Sequence, residues 1–272
     1  MNKYYDNMFQ KLNNNKAAAF IPFLTVGYPS IKIFIKIIEL YIKSGADALE
    51  LGIPFSDPFA DGNIIQKANL QTLKIGINII KCFQIIKNIR NKYKKIPIGI
   101  LTYANIIISY GIKNFYIECY RAGINSVLII DLPIEEFNPF YRLTQKNKIS
   151  PILICPPNVD KNFYKKISLF QCAYIYVMSR SGITGYDQNL NTTININYLF
   201  NNLKKHNLIP IQGFGICNTK QIKKSIKGGS CGVIVGSFLI DIIQKYQDNI
   251  EVLFYKLKKI LIKFKKATLL TG

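Results

Sequence analysis

Short apolar runs alternate with longer amphipathic segments along almost the whole chain. Apolar runs of this length, bounded by glycine, proline or polar residues, are typical of buried strands, whereas the longer segments have the apolar spacing of helices. The pattern predicts eight strands, over residues 19–26, 48–52, 97–102, 126–131, 152–155, 173–178, 209–212 and 232–235.

Helical patterns fill the gaps between the predicted strands, for instance over residues 31–43, 77–93, 115–122 and 218–227. Several of these segments end in a glycine just before the next strand, which suits a helix C-cap; the glycines are Gly45, Gly123 and Gly228. Eight β/α units without a linker or a change in composition favour an α/β fold, a single (β/α)8 TIM barrel that forms one domain over residues 1–272. A doubly wound open sheet would need fewer strands and a reversal of strand order that no feature marks.

The composition supports a large hydrophobic core, but its high net charge raises the question of nucleic-acid binding. Of the 272 residues, 49% are hydrophobic, and the formal net charge is +21. The basic residues are spread over what we expect to be the outer faces of helices, as at Lys32, Lys36 and Lys43. The densest basic stretch, residues 256–266, repeats apolar residues at i, i+4 and i+7 and is therefore predicted to be an amphipathic helix. Without a clustered patch or a motif, we do not expect nucleic-acid binding.

Other features predict a cytoplasmic protein. No apolar run is long enough to cross a membrane, and the polar residues 1–15 do not resemble a signal peptide. None of the six cysteines forms a C-x-x-C pair, which argues against a metal or redox site of that type. We expect reduced thiols in a cytoplasm.

The first chemical signal is the segment Glu50-Leu-Gly-Ile-Pro-Phe-Ser-Asp-Pro-Phe-Ala-Asp-Gly62. It places Glu50 among apolar residues of a buried strand, and Asp57 and Asp61 in the loop that follows. A buried carboxylate is costly unless it is paired or used in chemistry. From the residues alone, Glu50 is either a functional acid or one partner of a structural ion pair.

Two glycine turns give a second signal, because both follow the last predicted strands. Gln212-Gly-Phe-Gly-Ile216 comes after the seventh strand, and Val235-Gly-Ser-Phe238 comes after the eighth. Glycines allow backbone N–H groups to approach an anion, and Ser237 would begin a helix whose N-terminus favours negative charge. A tight turn would explain either segment alone, but the pair suggests the phosphate site that TIM barrels often form from these loops.

A third signal is the segment from Tyr174 to Gly185. Strand parity places Tyr174, Tyr176 and Met178 on one face, so Tyr176 either reaches the barrel mouth beside Glu50 or is a core tyrosine. The Ser-, Gly- and Thr-containing loop that runs towards Asn191 is a candidate lid. His206 is the only histidine, which excludes a multi-histidine metal site.

Together these segments resemble the tryptophan synthase alpha subunit over nearly the whole chain. The resemblance also rests on Phe20-Ile-Pro-Phe-Leu-Thr-Val-Gly-Tyr-Pro29, Leu101-Thr-Tyr-Ala-Asn105, Asp131-Leu-Pro-Ile-Glu-Glu136 and Pro151-Ile-Leu-Ile-Cys-Pro-Pro157. It implies retro-aldol cleavage of indole-3-glycerol phosphate to indole and D-glyceraldehyde 3-phosphate, without a metal or an organic cofactor in this chain.

The resemblance also implies roles for individual residues. Glu50 corresponds to the acid/base of the family, Asp61 to the carboxylate that holds the indole N–H, and Tyr176 to the assisting tyrosine. The residues expected to line the indole site are Phe23, Leu101, Leu128 and Ile154. Those expected to bind phosphate are Gly185, Phe214, Gly215, Gly236 and Ser237, and Thr184 is the expected lid residue that contacts the aspartate.

The expected partner is a tryptophan synthase beta subunit in an alpha2beta2 heterotetramer, docked at Asp57-Pro58 and Leu132-Pro133, with pyridoxal phosphate in the beta subunit only. Two alternatives remain from the sequence. Another phosphosugar barrel, such as an isomerase or indole-glycerol-phosphate synthase, is one, although the synthase would need a lysine at a strand end. The other is a catalytically silent subunit that activates a partner, although the intact acidic and glycine motifs argue against it.

Overall fold

The structure is a computed structural model, and it describes residues 3–178 and 196–270. Eight parallel strands form a closed barrel in which each strand pairs with the next and the eighth pairs with the first. The strands are β1 (Ala19–Thr25), β2 (Leu49–Gly52), β3 (Ile98–Thr102), β4 (Ser126–Ile129), β5 (Ser150–Cys155), β6 (Ile175–Met178), β7 (Pro210–Gly213) and β8 (Gly232–Val235).

Helices cover the outside of this barrel. They are α1 (Lys3–Asn14), α2 (Ile31–Lys43), α3 (Asn63–Lys74), α4 (Ile79–Lys92), α5 (Ala104–Tyr110), α6 (Ile112–Arg121), α7 (Asn138–Lys146), α8 (Lys161–Ser168), α9 (Ile196–Lys205), α10 (Thr219–Lys227), α11 (Ser237–Tyr246) and α12 (Ile250–Ala267), with a short 3-10 turn at Ile134–Glu136. The predicted TIM barrel is confirmed, and every predicted strand lies within two residues of its observed bounds. Among the described residues, no helix is both long and apolar enough to span a bilayer.

Helix α1 was not predicted, and it closes the N-terminal end of the barrel. Its residues Tyr5, Met8 and Leu12 are buried, with a spacing that places them on one face of the helix. The hydroxyl of Tyr5 lies 2.7 Å from Oγ of Ser126, the first residue of β4, so this side chain enters the barrel from below. Gly99 leaves room for the contact, because a Cβ there would lie 2.6 Å from Oγ of Ser126.

The ends of several helices follow simple capping chemistry. Asn218 accepts a hydrogen bond from the N–H of Gln221, whose side chain bonds back to the N–H of Asn218, which forms a capping box at the start of α10. The predicted caps Gly45 and Gly123 have positive φ, as expected after a helix. Helix α10 ends at Lys227 with Gly228 as its C-cap, as predicted, and the positive φ belongs to the next residue, Gly229.

The strand register brings distant segments together at one end of the barrel. Glu50 pairs with Phe23 on one side and with Gly99 on the other. Further around the barrel, Leu101 pairs with Leu128, and Ile154 pairs with Tyr176. Phe23, Leu101, Leu128 and Ile154 lie towards the carboxyl ends of their strands, where TIM barrels build their sites.

Candidate active site

A cavity opens at the carboxyl end of the barrel and collects most of the residues that the sequence analysis singled out. Its free volume is about 590 Å³, which includes the part open to solvent. Eleven of the thirteen predicted site residues line it; they are Phe23, Glu50, Asp61, Leu101, Leu128, Ile154, Tyr176, Phe214, Gly215, Gly236 and Ser237. The remaining two, Thr184 and Gly185, and the candidate lid up to Asn191 lie outside the described residues.

Five other residues that line the cavity were not predicted, and all are apolar; they are Ile65, Ile130, Ile216, Ile234 and Phe238. A signal existed for two of them, because Ile216 and Phe238 belong to the glycine segments already assigned to the site. The lining is therefore mainly aliphatic and aromatic around two carboxylates, which suits an apolar ring with a few polar anchors.

Glu50 is almost completely buried in this cavity. It is 2% exposed, and the hydroxyl of Tyr174 donates a hydrogen bond of 3.3 Å to its Oε1. Burial raises the pKa of Glu50 to about 8, and the Tyr174 bond lowers it only in part. At neutral pH most Glu50 side chains are therefore protonated. Within the described part of the chain no ion pair includes Glu50, which removes the support for a structural salt bridge.

Tyr174 is a functional neighbour that the sequence analysis did not assign. Strand parity had placed Tyr174 on the same face as Tyr176, one pleat deeper. Nothing else in the sequence marked it as a functional residue. Its ring packs edge-on against Tyr5 at 5.8 Å between centroids, which fixes the hydroxyl below the cavity.

Asp61 is also buried but has more donors. The hydroxyl of Tyr103 donates to its Oδ2 at 3.1 Å, and the amide of Asn69 donates to the same oxygen at 3.3 Å. Burial raises the pKa of Asp61 to about 6, against the lowering effect of these two bonds. Asp61 is therefore mostly ionised at neutral pH. Gln66 holds its backbone by donating to the carbonyl oxygen of Asp61 at 2.7 Å.

Tyr176 lies between the acids and the glycine turns. It is 6% exposed, and its ring packs edge-on against Phe214 at 5.6 Å. Position 213, the last residue of β7, must be glycine, because a Cβ there would lie 1.9 Å from the ring of Tyr176. Burial, with the nearby Glu50 as a smaller cause, raises the pKa of Tyr176 well above its ordinary value, so its hydroxyl stays protonated.

The glycine turns form the far wall of the cavity. Phe214 and Gly215 are consecutive residues with positive φ, 62° and 72°, which turns their backbone sharply after β7. Gly236 precedes α11, and Ser237 is the first residue of that helix. The positive end of the helix dipole therefore faces the cavity. None of the described lining residues is Lys or Arg, so an anion here would meet backbone groups, a hydroxyl and the helix dipole.

The single histidine has a structural environment. The ring of His206 stacks on Tyr164 with 6.0 Å between centroids and 8° between planes, away from the cavity. In residues 3–178 and 196–270, no group of three or more His, Cys, Asp or Glu side chains could hold a metal ion.

The chain is similar to proteins of one family along nearly its full length. A family model described as tryptophan synthase alpha chain matches residues 9–269. The tryptophan synthase alpha chain of Buchnera aphidicola subsp. Schlechtendalia chinensis is 45% identical over 270 residues, which covers 99% of this chain and 100% of that protein. The alpha chain of Blochmanniella floridana is 49% identical over 95% of this chain and 96% of its own length. Among solved structures, tryptophan synthase subunit alpha from Legionella pneumophila str. Paris superposes with a TM-score of 0.88 at 27% identity, covering 98% of both chains.

Proposed function

This chain belongs to the tryptophan synthase alpha chain family, and from that premise we propose which of its residues carry out the reaction. The chain is a carbon-carbon lyase of tryptophan biosynthesis, and it cleaves indole-3-glycerol phosphate to indole and D-glyceraldehyde 3-phosphate. We also propose that residues 1–272 form one domain, as the continuous barrel suggests.

Glu50 is the proposed acid and base of both proton transfers. In the first step it gives its proton to C3 of the indole, which moves positive charge onto the ring nitrogen. In the second, the resulting carboxylate removes the proton of the side-chain hydroxyl. The bond between C3 of the indole and the side-chain carbon that carries this oxygen then breaks. Its electron pair returns to the ring, and that carbon becomes the aldehyde. Glu50 ends the cycle protonated, and its raised pKa of about 8 suits this starting state.

Asp61 is the proposed acceptor of the ring N–H. A carboxylate that is ionised at neutral pH stabilises the positive charge that develops on the nitrogen. Among the described residues, the donors to its side chain reach Oδ2, which leaves Oδ1 as the oxygen we assign to the indole.

The remaining cavity residues divide between the two ends of the substrate. Phe23, Leu101, Leu128 and Ile154 are proposed to hold the indole ring, while Phe214, Gly215, Gly236 and Ser237 are proposed to bind the phosphate. Tyr176 lies between these sets, and we propose that its protonated hydroxyl assists at the reacting hydroxyl group. Gly185 keeps its predicted role in phosphate binding and Thr184 its predicted role as the lid residue; both lie outside the described residues.

Alpha chains of this family work with a beta subunit. We propose an alpha2beta2 assembly in which the beta subunit covers the loops at Asp57-Pro58 and Leu132-Pro133. In support, an open groove beside Leu132 and Pro133 shares Ile130, Ile154 and Phe214 with the cavity, which offers indole a path towards this face. Pyridoxal phosphate is assigned to the beta subunit. Sedimentation of the mixed chains should give a particle of two alpha and two beta chains, and no joint particle would reject the assembly.

We place the reaction in the cytoplasm. The support comes from the six cysteines, which are all free thiols, and Cys82, Cys119 and Cys155 among them are buried members of the core.

One observation carries the residue assignment, namely that two buried carboxylates, Glu50 and Asp61, line the same cavity, where burial raises the pKa of Glu50 to about 8 and that of Asp61 to about 6. The test is release of glyceraldehyde 3-phosphate from indole-3-glycerol phosphate, followed as NADH formation with glyceraldehyde 3-phosphate dehydrogenase. The double variant Glu50→Gln/Asp61→Asn should lose all measurable activity and keep a wild-type circular dichroism spectrum. The control Glu251→Gln, an exposed acid at the start of α12, should keep full activity. A double variant with wild-type turnover would reject the assignment.

A further inference from the structure

Phe59 is an exposed aromatic side chain on the loop between β2 and α3. Two thirds of it, 66%, is exposed to solvent, although the residue lies between Pro58 and Ala60 in a loop that ends at the buried Asp61. The covered part of its ring packs edge-on against Tyr103, with 5.6 Å between centroids and 62° between planes. Phe55, from the start of the same loop, contacts Tyr103 at 4.9 Å.

Tyr103 connects this aromatic cluster to Asp61. It is 1% exposed, and its hydroxyl donates to Oδ2 of Asp61 at 3.1 Å. The backbone next to it is fixed, because the N–H of Ala104 donates to Oδ1 of Asp131 at 2.8 Å. The remaining freedom of Tyr103 is rotation of its side chain, and the rings of Phe55 and Phe59 restrict that rotation.

The loop backbone does not depend on the Phe59 ring. The N–H of Phe59 donates to the carbonyl of Asp57, and the N–H of Asp61 donates to the carbonyl of Pro58, both at 2.9 Å. Gln66 holds the carbonyl oxygen of Asp61 from α3. Removing the ring therefore leaves these backbone bonds in place, and the side-chain contact that links Phe59 to the Asp61 carboxylate is the one with Tyr103.

We propose that Phe59 is a positioning residue for the reaction: its ring holds Tyr103 in the orientation from which the Tyr103 hydroxyl fixes the carboxylate of Asp61. The inference rests on the proposed role of Asp61. It extends the functional unit from the buried cavity to a ring that is exposed in the isolated chain at the mouth of the barrel, where a change at the surface alters the geometry of a buried carboxylate.

The kinetic test uses a double-mutant cycle between Phe59→Ala and Tyr103→Phe. Phe59→Ala should lower kcat about five- to tenfold and change KM less than about twofold, because the bond it loosens stabilises charge in the transition state. In the Tyr103→Phe background, where the hydroxyl is already missing, Phe59→Ala should lower kcat less than about twofold further. If the two variants lower kcat by independent factors that multiply, Phe59 does not act through Tyr103 and the inference is wrong. An unchanged kcat in Phe59→Ala would also overturn it.

The pH profile separates positioning from damage to the loop. Tyr103 and Asn69 donate to Asp61, Tyr176 and Glu50 line the same cavity, and Asp131 lies beside Tyr103. Loss of a donor to a carboxylate raises its pKa, so the acid limb of kcat/KM should move up by about one pH unit in Tyr103→Phe. Phe59→Ala should move the limb in the same direction by a smaller amount. An unmoved limb in both variants would contradict the inference.

Two controls complete the experiment. Phe59→Tyr keeps the ring contact and should restore wild-type kcat and the wild-type acid limb. Tyr255→Ala removes an aromatic side chain of similar exposure, 65%, from α12 and should change neither. Asp61→Asn, measured in parallel, distinguishes the two levels of failure. If Asp61→Asn is fully active, the proposed function is wrong; if it is impaired while Phe59→Ala is normal, this inference alone is wrong.

Discussion

Glu50 and Asp61 are carboxylates in the same cavity, yet their surroundings differ in two respects. Glu50 belongs to strand β2, and among the described residues its side chain receives one long hydrogen bond, from Tyr174. Asp61 lies in a loop, and within the described part of the chain its Oδ2 receives two bonds, from Tyr103 and Asn69. Burial raises the pKa of both, to about 8 for Glu50 and about 6 for Asp61.

The difference shows how one fold obtains two roles from the same functional group. At neutral pH, Glu50 carries the proton that the reaction needs, and Asp61 carries the negative charge that the ring nitrogen needs. Both side chains are less than 5% exposed, so burial is the main cause of both shifts, and the bonds from Tyr103 and Asn69 lower the pKa of Asp61 against it.

The largest effect is expected for Glu50→Gln. Glutamine keeps the size of the side chain but cannot transfer a proton, so kcat should fall by about 10²–10⁴-fold. The glyceraldehyde 3-phosphate assay measures this, with circular dichroism as the check on folding. Turnover within threefold of wild type would remove Glu50 from the mechanism.

Asp61→Asn should have a smaller effect than Glu50→Gln. Its carbonyl oxygen can still accept the ring N–H, but the negative charge is gone, and we expect a loss of about 10²–10³-fold in kcat. Asp248→Asn, an exposed aspartate before α12, is the matched control and should behave as wild type. If Asp61→Asn loses more activity than Glu50→Gln, the assignment of the two roles is reversed.

The buried charge of Glu50 should also appear in stability. Its pKa in the folded state, about 8, lies above the ordinary value of 4.5, so its contribution is complete below about pH 4.5 and is lost as the pH rises through 8. Full linkage corresponds to about 5 kcal/mol as an upper limit, and we expect the wild type to lose about 2–3 kcal/mol relative to Glu50→Gln between pH 5 and pH 9. Urea unfolding at the two pH values measures this. Parallel pH dependence in the two proteins would show that Glu50 titrates normally.

The smallest effect is expected for Tyr174→Phe. Loss of its hydrogen bond should raise the pKa of Glu50 and move the basic limb of kcat/KM upward from about pH 8 by roughly half a unit. The acid limb, which we assign to Asp61, should stay near pH 6. Tyr116→Phe is the control, because the Tyr116 hydroxyl is buried without a hydrogen-bond partner among the described residues. Movement of both limbs in Tyr174→Phe would mean that the two acids titrate as one coupled pair.

The barrel itself was predictable because its signals are local. Strands such as Gly232–Val235 and helices such as Ile31–Lys43 appear at the predicted bounds, since each apolar run or amphipathic segment reports its own burial. Helix α1 was missed because its mean composition is polar and only Tyr5, Met8 and Leu12 mark its buried face. The cavity residues were found through motifs that remain contiguous in the chain, as in residues 50–62.

The sequence by itself therefore determined the order of the elements, the closed parallel barrel and the presence of Glu50 and Asp61 at its mouth. Only the tertiary structure decided which of these acids holds a proton at neutral pH. A pKa depends on desolvation and on the donors within a few ångströms, and these come from distant parts of the chain. Tyr174 is 124 residues from Glu50, and Tyr103 is 42 residues from Asp61, so the two environments exist only after the barrel closes.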